Sequence, residues 1–79
     1  MYLSQLSCGE HGIITELHTS EALRRRLQEV GFIVGASVKC VMKSPLKDPT
    51  AYRVCGATIA LRNRDAATVE IERSEENWV

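Results

Sequence analysis

The stretch LQEVGFIVG, residues 27–35, is where a helical sequence pattern gives way to strand patterns. Leu23, Leu27 and Val30 are spaced as i, i+4 and i+7, which places them on one face of a helix that ends inside this stretch. Gly31 then occupies the position of a helix C-cap, where the left-handed backbone conformation favours glycine. We therefore predict a short amphipathic helix that offers its apolar face to the core and ends at Gly31.

The residues before this helix predict its first turn and one strand. Thr19 or Ser20 serves as the N-cap, because a hydroxyl oxygen accepts from the free backbone amides there, and Glu21 lies at the positive end of the helix dipole. This places the helix at residues 21–30. Residues 9–17 combine glycines at the start with β-favouring apolar residues, so we predict the first strand there.

Four further strands are predicted downstream of the helix. In the first of them, Val38, Cys40 and Met42 alternate with their neighbours and are expected to point to the core. The other strands are expected at residues 51–54, 58–61 and 68–72, with a tight turn at 55–56 and one helical turn at 63–66. Five short strands in so small a chain remove their exposed edges by closing. We predict a mainly β fold, a small barrel of about five strands with one short amphipathic helix between strands 1 and 2.

The composition indicates one cytoplasmic domain. Ten basic and ten acidic residues give a net charge of zero, whereas nucleic-acid binders carry a basic surplus, so nucleic acid is not an expected partner. The three cysteines are an odd number and no secretory leader is visible, which predicts reduced thiols in the cytoplasm. No apolar run reaches the roughly 18–20 residues of a membrane span, so direct membrane insertion is not expected. We expect a single domain at residues 1–72 and a polar, disordered tail at 73–79.

Three stretches carry a resemblance to a known family. LQEVGFIVG at residues 27–35 is similar to the pattern L-x-x-L-G-F-x-P-G, and SPLKDP at residues 44–49 is similar to A-P-L-G-D-P. The third stretch, IALR at residues 59–62 followed by Asp65 and Ala66, is similar to A-L-R-x-x-E-A. In this order they resemble the ferrous iron transport protein A (FeoA) family, small SH3-like proteins encoded beside a membrane transporter with a GTP-binding domain. The resemblance therefore implies an SH3-like barrel.

The chain departs from the family patterns at four positions. Val34 stands in place of a proline, while Val30 and Asp65 are milder replacements of a leucine and a glutamate. Lys47 stands in place of a glycine in the 44–49 loop, where glycine often marks a positive φ that lysine disfavours. We therefore expect the loop tip to differ in shape from that of the family.

The resemblance implies a function in bacterial ferrous iron uptake. By it, the chain is a non-enzymatic cytosolic accessory protein that docks on the cytosolic domain of the GTP-binding ferrous iron transporter B. A similar barrel forms the C-terminal domain of diphtheria-toxin-repressor-type metalloregulators, so the alternative is a metal-responsive regulatory module. Because small barrels with exposed edges often self-associate weakly, a weak homo-oligomer is a further expectation. The expected partner-binding residues are Arg24, Arg25, Arg26, Leu46, Lys47 and Asp48.

Each partner-binding expectation has an alternative. The three arginines are consecutive on a helix and so fan out around it, and the alternative is a solvated outer face. Leu27 is either a core residue or half-exposed in a groove that receives the partner. Leu46, apolar and set between two prolines in a loop, is the better contact candidate because its own domain offers it little to pack against.

The cysteines and histidines raise the question of metal and of catalysis. Cys8 and His11 are plausible ligands for Fe²⁺ or Zn²⁺, although a structural site needs two more. The alternative is bridging of two molecules through His11 or His18. No required cofactor is expected. Because no base accompanies a cysteine and no phosphate-binding glycine loop is present, we do not expect an enzyme.

Overall fold

The computed structural model describes residues 1–74 as a five-stranded antiparallel sheet with two helices and a 3₁₀ turn. The sheet order is β4-β3-β2-β1-β5. The predicted mainly β, SH3-like architecture with a helix between the first two strands is confirmed. The elements are the 3₁₀ turn Leu3–Gln5, β1 His11–Leu17, α1 Glu21–Glu29, β2 Ser37–Lys43, β3 Thr50–Val54, β4 Ala57–Leu61, α2 Asn63–Ala66 and β5 Val69–Ser74.

Helix α1 begins where the capping signals indicate and ends at Glu29, one residue earlier than predicted, so that Gly31 follows the C-cap. The Ser20 hydroxyl accepts from the Leu23 amide at 3.3 Å, which makes Ser20 the N-cap. At the other end Gly31 has φ +108°, and the Phe32 amide donates to the Leu27 carbonyl at 2.9 Å. Leu27 is buried, as predicted, and Phe32 is fully buried as well.

Val30 does not share the buried face of the helix. The helix ends at Glu29, and Val30 is its C-cap with a non-helical backbone. Its side chain is 39% exposed, whereas Leu27 is 3% exposed. The spacing i+7 predicts a shared face only while the helix continues, so the expectation for Val30 was wrong.

The core is mostly aliphatic, with Phe32 and Tyr52 as its largest fully buried side chains. Leu3 and Leu6, at the ends of the 3₁₀ turn, are also fully buried. The Tyr52 hydroxyl donates to the Leu3 carbonyl at 3.4 Å, which satisfies the one polar atom of that ring. The N-terminal segment thus contributes two leucines to the core, which the strand and helix periods did not indicate.

A β-bulge redirects the end of β2. Cys40 pairs with Tyr52, but the next pair joins Met42 to Ala51, so the register shifts between them. An extra residue on one strand turns the following side chain to the other face. Cys40 is therefore buried, as predicted, whereas Met42 is 63% exposed and the prediction that it points inward was wrong.

Strand β5 runs past the expected domain boundary at residue 72. Its Arg73 is the register partner of Gly12, and the strand ends at Ser74. The remainder of the tail expected at 73–79 lies outside the described residues. Within residues 1–74, the helices are too short to cross a membrane.

The turn at Gly31 generates a test of stability. A Cβ at Gly31 would lie 2.9 Å from Cys55 Sγ, and φ is +108°. Gly35 has φ +93° but open space around it, so Gly35→Ala is a control that carries the backbone penalty alone. We expect Gly35→Ala to cost about 1–2 kcal/mol of unfolding free energy, and Gly31→Ala to cost clearly more because of the added clash. Equal losses in urea unfolding would contradict this packing.

The buried thiol of Cys40 generates a prediction for alkaline pH. Burial, and then the neighbouring Cys8 thiol, raises the pKa of Cys40 from 9.0 to about 11. The unfolded chain therefore loses this proton first, and stability should fall as pH rises from 9 to 11, by at most about 1.4 kcal/mol per pH unit. Between pH 9 and pH 11, the Cys40→Ala variant should lose less stability than the wild type. The control Cys55→Ala, which removes an exposed thiol, should lose as much stability as the wild type. A Cys40→Ala slope equal to the wild type would contradict the shift.

Candidate functional site

The loop between β2 and β3, residues 44–49, presents an apolar side chain on an ordered backbone. Leu46 at its tip is 88% exposed. The Lys47 amide donates to the Ser44 carbonyl at 2.7 Å, and the Asp48 amide donates to the Ser44 hydroxyl at 3.0 Å. These bonds close the loop beneath Leu46, so the exposed leucine sits on a preformed turn.

Lys47 adopts the backbone conformation that a glycine would tolerate. Its φ is 65°, in the left-handed region that side chains with a Cβ disfavour. The expected consequence of the lysine was a differently shaped tip. The surrounding bonds hold Lys47 in the left-handed turn at a cost in backbone strain, and the expected difference from the family's tip stays a prediction.

Asn63, the first residue of α2, connects the loop to the rest of the domain. Its side-chain amide donates to the Lys47 carbonyl at 2.7 Å, and its backbone amide donates to Asp48 Oδ1 at 3.0 Å. Its Oδ1 accepts from the Thr50 hydroxyl at 3.2 Å. Asp48 thus accepts from a backbone amide that lies 15 residues away in sequence. Sequence reasoning missed Asn63, for which the one local signal was a polar residue opening a helical turn.

A groove of about 320 Å³ runs between α1 and the β4–α2 segment. Leu27 is almost fully buried in it, and Leu23 and Ile59 are partly buried against the core. Arg62 lines the groove, and its guanidinium lies 3.9 Å from the Asp48 carboxylate, so groove and loop adjoin. We call them together the loop–groove surface. The groove is lined by Leu23, Arg26, Leu27, Val30, Ile59, Ala60, Leu61, Arg62 and Asp65.

The three consecutive arginines of α1 point in different directions. Arg24 donates to the Leu17 carbonyl at 2.9 Å and thereby ties the helix to the end of β1. Arg24 and Arg25 line a depression on the outer face of the helix, whereas Arg26 lines the groove. The structure therefore brings Arg26 to the loop–groove surface and leaves Arg24 away from it.

Cys8 and His11 do not form a cluster with a third ligand in the described part of the chain. Cys8 is exposed and lies beside the buried Cys40. His11 lies on β1 with Lys39 and Ser74 as register partners. Metal binding through Cys8 and His11 stays a prediction.

Within residues 1–74, one group of three or more metal-ligating side chains has its ligand atoms within 4.8 Å of one another. It consists of Glu16, His18 and Glu70. Sequence reasoning considered His18 only for bridging two molecules and did not connect it with Glu16. Glu70 is too far away in sequence for any local pattern to link it with His18.

Comparison with known proteins places this geometry in a family. The FeoA domain family model matches residues 1–73. The Fe(2+) transport protein A/Fe(2+) transporter FeoB fusion protein of Porphyromonas gingivalis is 35% identical over 77 residues, which are 98% of this chain and 9% of that protein. The chain thus spans a small part of this relative.

Solved structures of other proteins have the same fold as this chain. The FeoA protein of Chlorobium tepidum superposes with a TM-score of 0.88 at 30% identity, covering 92% of this chain and 70% of the other. FeoA of Stenotrophomonas maltophilia complexed with zinc gives 0.75 at 33% identity, covering 91% and 89%. A manganese-dependent transcriptional repressor gives 0.83 at 12% identity, covering 94% and 41%, which shows the fold alone and confirms the expected likeness to metalloregulators. With a family match over residues 1–73 and the same fold in two FeoA proteins, the chain belongs to the FeoA domain family.

Proposed function

We propose that the chain is a non-enzymatic accessory protein of bacterial ferrous iron uptake that docks on the cytosolic part of the GTP-binding ferrous iron transporter. The observation that carries the proposal is the Porphyromonas gingivalis relative, in which Fe(2+) transport protein A and the transporter FeoB are named as one fusion protein. Fusion keeps two domains at a high effective concentration, which favours even a weak contact between them. We infer that this chain makes the same contact with the transporter.

The loop–groove surface is the part of the molecule best suited to that contact. Leu46 is 88% exposed, and burying such a side chain contributes about 1.5–3 kcal/mol to binding. The loop is already ordered by Ser44 and Asn63, so little conformational entropy is lost when it docks. The partly buried Leu23 and Ile59 of the adjoining groove extend the apolar contact.

The charges around this surface favour an acidic partner. Arg26 and Arg62 line the groove, and Lys47 is exposed beside Leu46 in the loop, whereas Asp48 and Asp65 contribute the negative charges. Asp48 is engaged by the Asn63 amide and lies near Arg62. An acidic patch on the transporter's cytosolic domain would complement this surplus and steer association. The GTP chemistry belongs to the partner.

The docking proposal predicts a specific effect of Leu46→Glu. In calorimetric titration against the isolated cytosolic domain of the transporter, with and without guanine nucleotide, Leu46→Glu should weaken binding about tenfold or more, since it removes apolar burial worth about 1.5–3 kcal/mol. Val34→Glu is the matched control, because Val34 is 62% exposed but lines a different depression, beside Glu16 and Arg24.

Two results would contradict this proposal. Equal effects of Leu46→Glu and Val34→Glu would exclude the loop as the contact. Absence of wild-type binding in every nucleotide state would refute docking on the cytosolic domain. Circular dichroism of each variant separates loss of contact from loss of fold.

The strained tip generates a second prediction, for the pair Lys47→Gly and Lys47→Ala. Both variants remove the charge, but only glycine relieves the left-handed backbone at φ 65°. We expect Lys47→Gly to be more stable than Lys47→Ala by up to about 1 kcal/mol in urea unfolding. Equal stability would mean that the tip is not strained. If Lys47 contacts the partner, both variants should weaken binding to the same extent.

A further inference from the structure

His18 lies between two glutamates on the face formed by β1 and β5. Its Nε2 is 2.7 Å from Glu70 Oε1 and 3.4 Å from Glu16 Oε2. The ligand atoms of all three residues lie within 4.8 Å of one another. The three side chains are partly exposed, so the cluster faces solvent and an ion can reach it.

Strand geometry brings this cluster together. Glu16 and His18 flank the buried Leu17, the last residue of β1, so both side chains are on the outer side of the chain there. Glu70 is the direct register partner of Glu16 across the β1–β5 ladder, beside a register shift in β1. The cluster is therefore a product of the fold rather than of neighbouring positions in the chain.

The backbone and one aromatic ring position the imidazole. The His18 amide donates to the Thr68 carbonyl at 2.8 Å, which extends the pairing of β1 with β5. The Tyr2 ring packs edge-on against the His18 ring, with 6.1 Å between the ring centroids. The Tyr2 backbone also forms an isolated antiparallel β-bridge with Glu70. The nitrogen that faces the carboxylates is thus held in place before any ion arrives.

Two glutamates in direct cross-strand register repel each other, which is unfavourable unless a positive charge lies between them. A divalent cation neutralises both carboxylates at once. One imidazole nitrogen with two carboxylate oxygens is a ligand set suited to Zn²⁺, Fe²⁺ and Mn²⁺.

We propose that Glu16, His18 and Glu70 form a binding site for a divalent transition-metal ion of the Fe²⁺ and Zn²⁺ class. With bonds of about 2.1 Å, two ligand atoms on one ion lie at most about 4.2 Å apart. The widest separation in the cluster, bounded by 4.8 Å, needs only a small movement of an exposed glutamate. The hydrogen bond of 2.7 Å between His18 and Glu70 opens to admit the ion. Three protein ligands leave at least one position for water or for a ligand from another molecule.

This site is separate from the loop–groove surface in its elements and in its test. It is built on β1 and β5, whereas the loop–groove surface is built on α1, the β2–β3 loop, β4 and α2. If the metal site were disproved, the docking proposal would stand. If docking were disproved, the metal-site proposal would stand. It also competes with Cys8 and His11 as the metal-binding part of the chain, and the two alternatives differ in ligand chemistry.

The site is tested by titrating the full chain with Zn²⁺ by calorimetry and with Co²⁺ by absorption spectroscopy. His18→Ala should weaken Zn²⁺ binding about tenfold or more, as loss of one of three ligands predicts. The control His11→Ala removes the other histidine and should leave the affinity within about twofold. Glu70→Gln should weaken binding as well, whereas Glu72→Gln, two positions further along β5, should not.

Cobalt distinguishes the two candidate ligand sets directly. A site made by Glu16, His18 and Glu70 gives visible d–d bands without a thiolate-to-cobalt charge-transfer band, whereas a site that includes Cys8 gives that band. Binding that survives His18→Ala but is lost in His11→Ala or Cys8→Ser would overturn the proposal. So would the absence of any Zn²⁺ binding at millimolar concentration. Thermal unfolding of each variant without metal establishes that the fold is kept.

Discussion

The close approach of Gly31 to Cys55 fixes how the helix lies on the barrel. Cys55 is in the tight turn between β3 and β4, and its thiol donates to the Gly31 carbonyl at 3.7 Å. A side chain at Gly31 would collide with this cysteine, so the helix end seats directly on the hairpin. Phe32 then enters the core, and Leu27 of α1 is buried in the same cluster. The groove between α1 and β4 is a consequence of that seating.

A continuous series of rigid contacts leads from this turn to the exposed loop tip. Strand β4 leaves the hairpin and runs into α2, whose first residue, Asn63, binds the Lys47 carbonyl and the Asp48 carboxylate. The tip is therefore oriented by the same hairpin that receives the helix end. The strain at Lys47 is tolerated because its amide bonds to Ser44 within the loop and its carbonyl accepts from Asn63 of α2. The position of Leu46 therefore depends on a residue that is distant in sequence as well as on the loop itself.

Local signals in the sequence predicted the local parts of the fold. They failed where pairing between residues distant in sequence determines which way a side chain points or which residues meet. The caps of α1 depend on a few consecutive residues, and Ser20 and Gly31 were found where expected. Met42 was assigned to the wrong face because the bulge in β2 is set by its pairing with β3. Asn63 was missed as the residue that holds the loop, since its partners are 13 to 16 positions away. The Glu16–His18–Glu70 cluster was missed for the same reason, because the register of β1 against β5 is what creates it.

The state of the cysteines bears on which metal chemistry the domain can support. A thiol binds a metal ion as the thiolate, and burial raises the pKa of Cys40 to about 11, so this thiol stays protonated at neutral pH. Cys8 is thereby left beside a protonated neighbour rather than a second thiolate ligand. Nitrogen and oxygen ligands at the β1–β5 face require no such deprotonation of a buried group. The imidazole nitrogen and two carboxylate oxygens at that face are a ligand set that suits ions such as Fe²⁺ and Zn²⁺ without any thiolate.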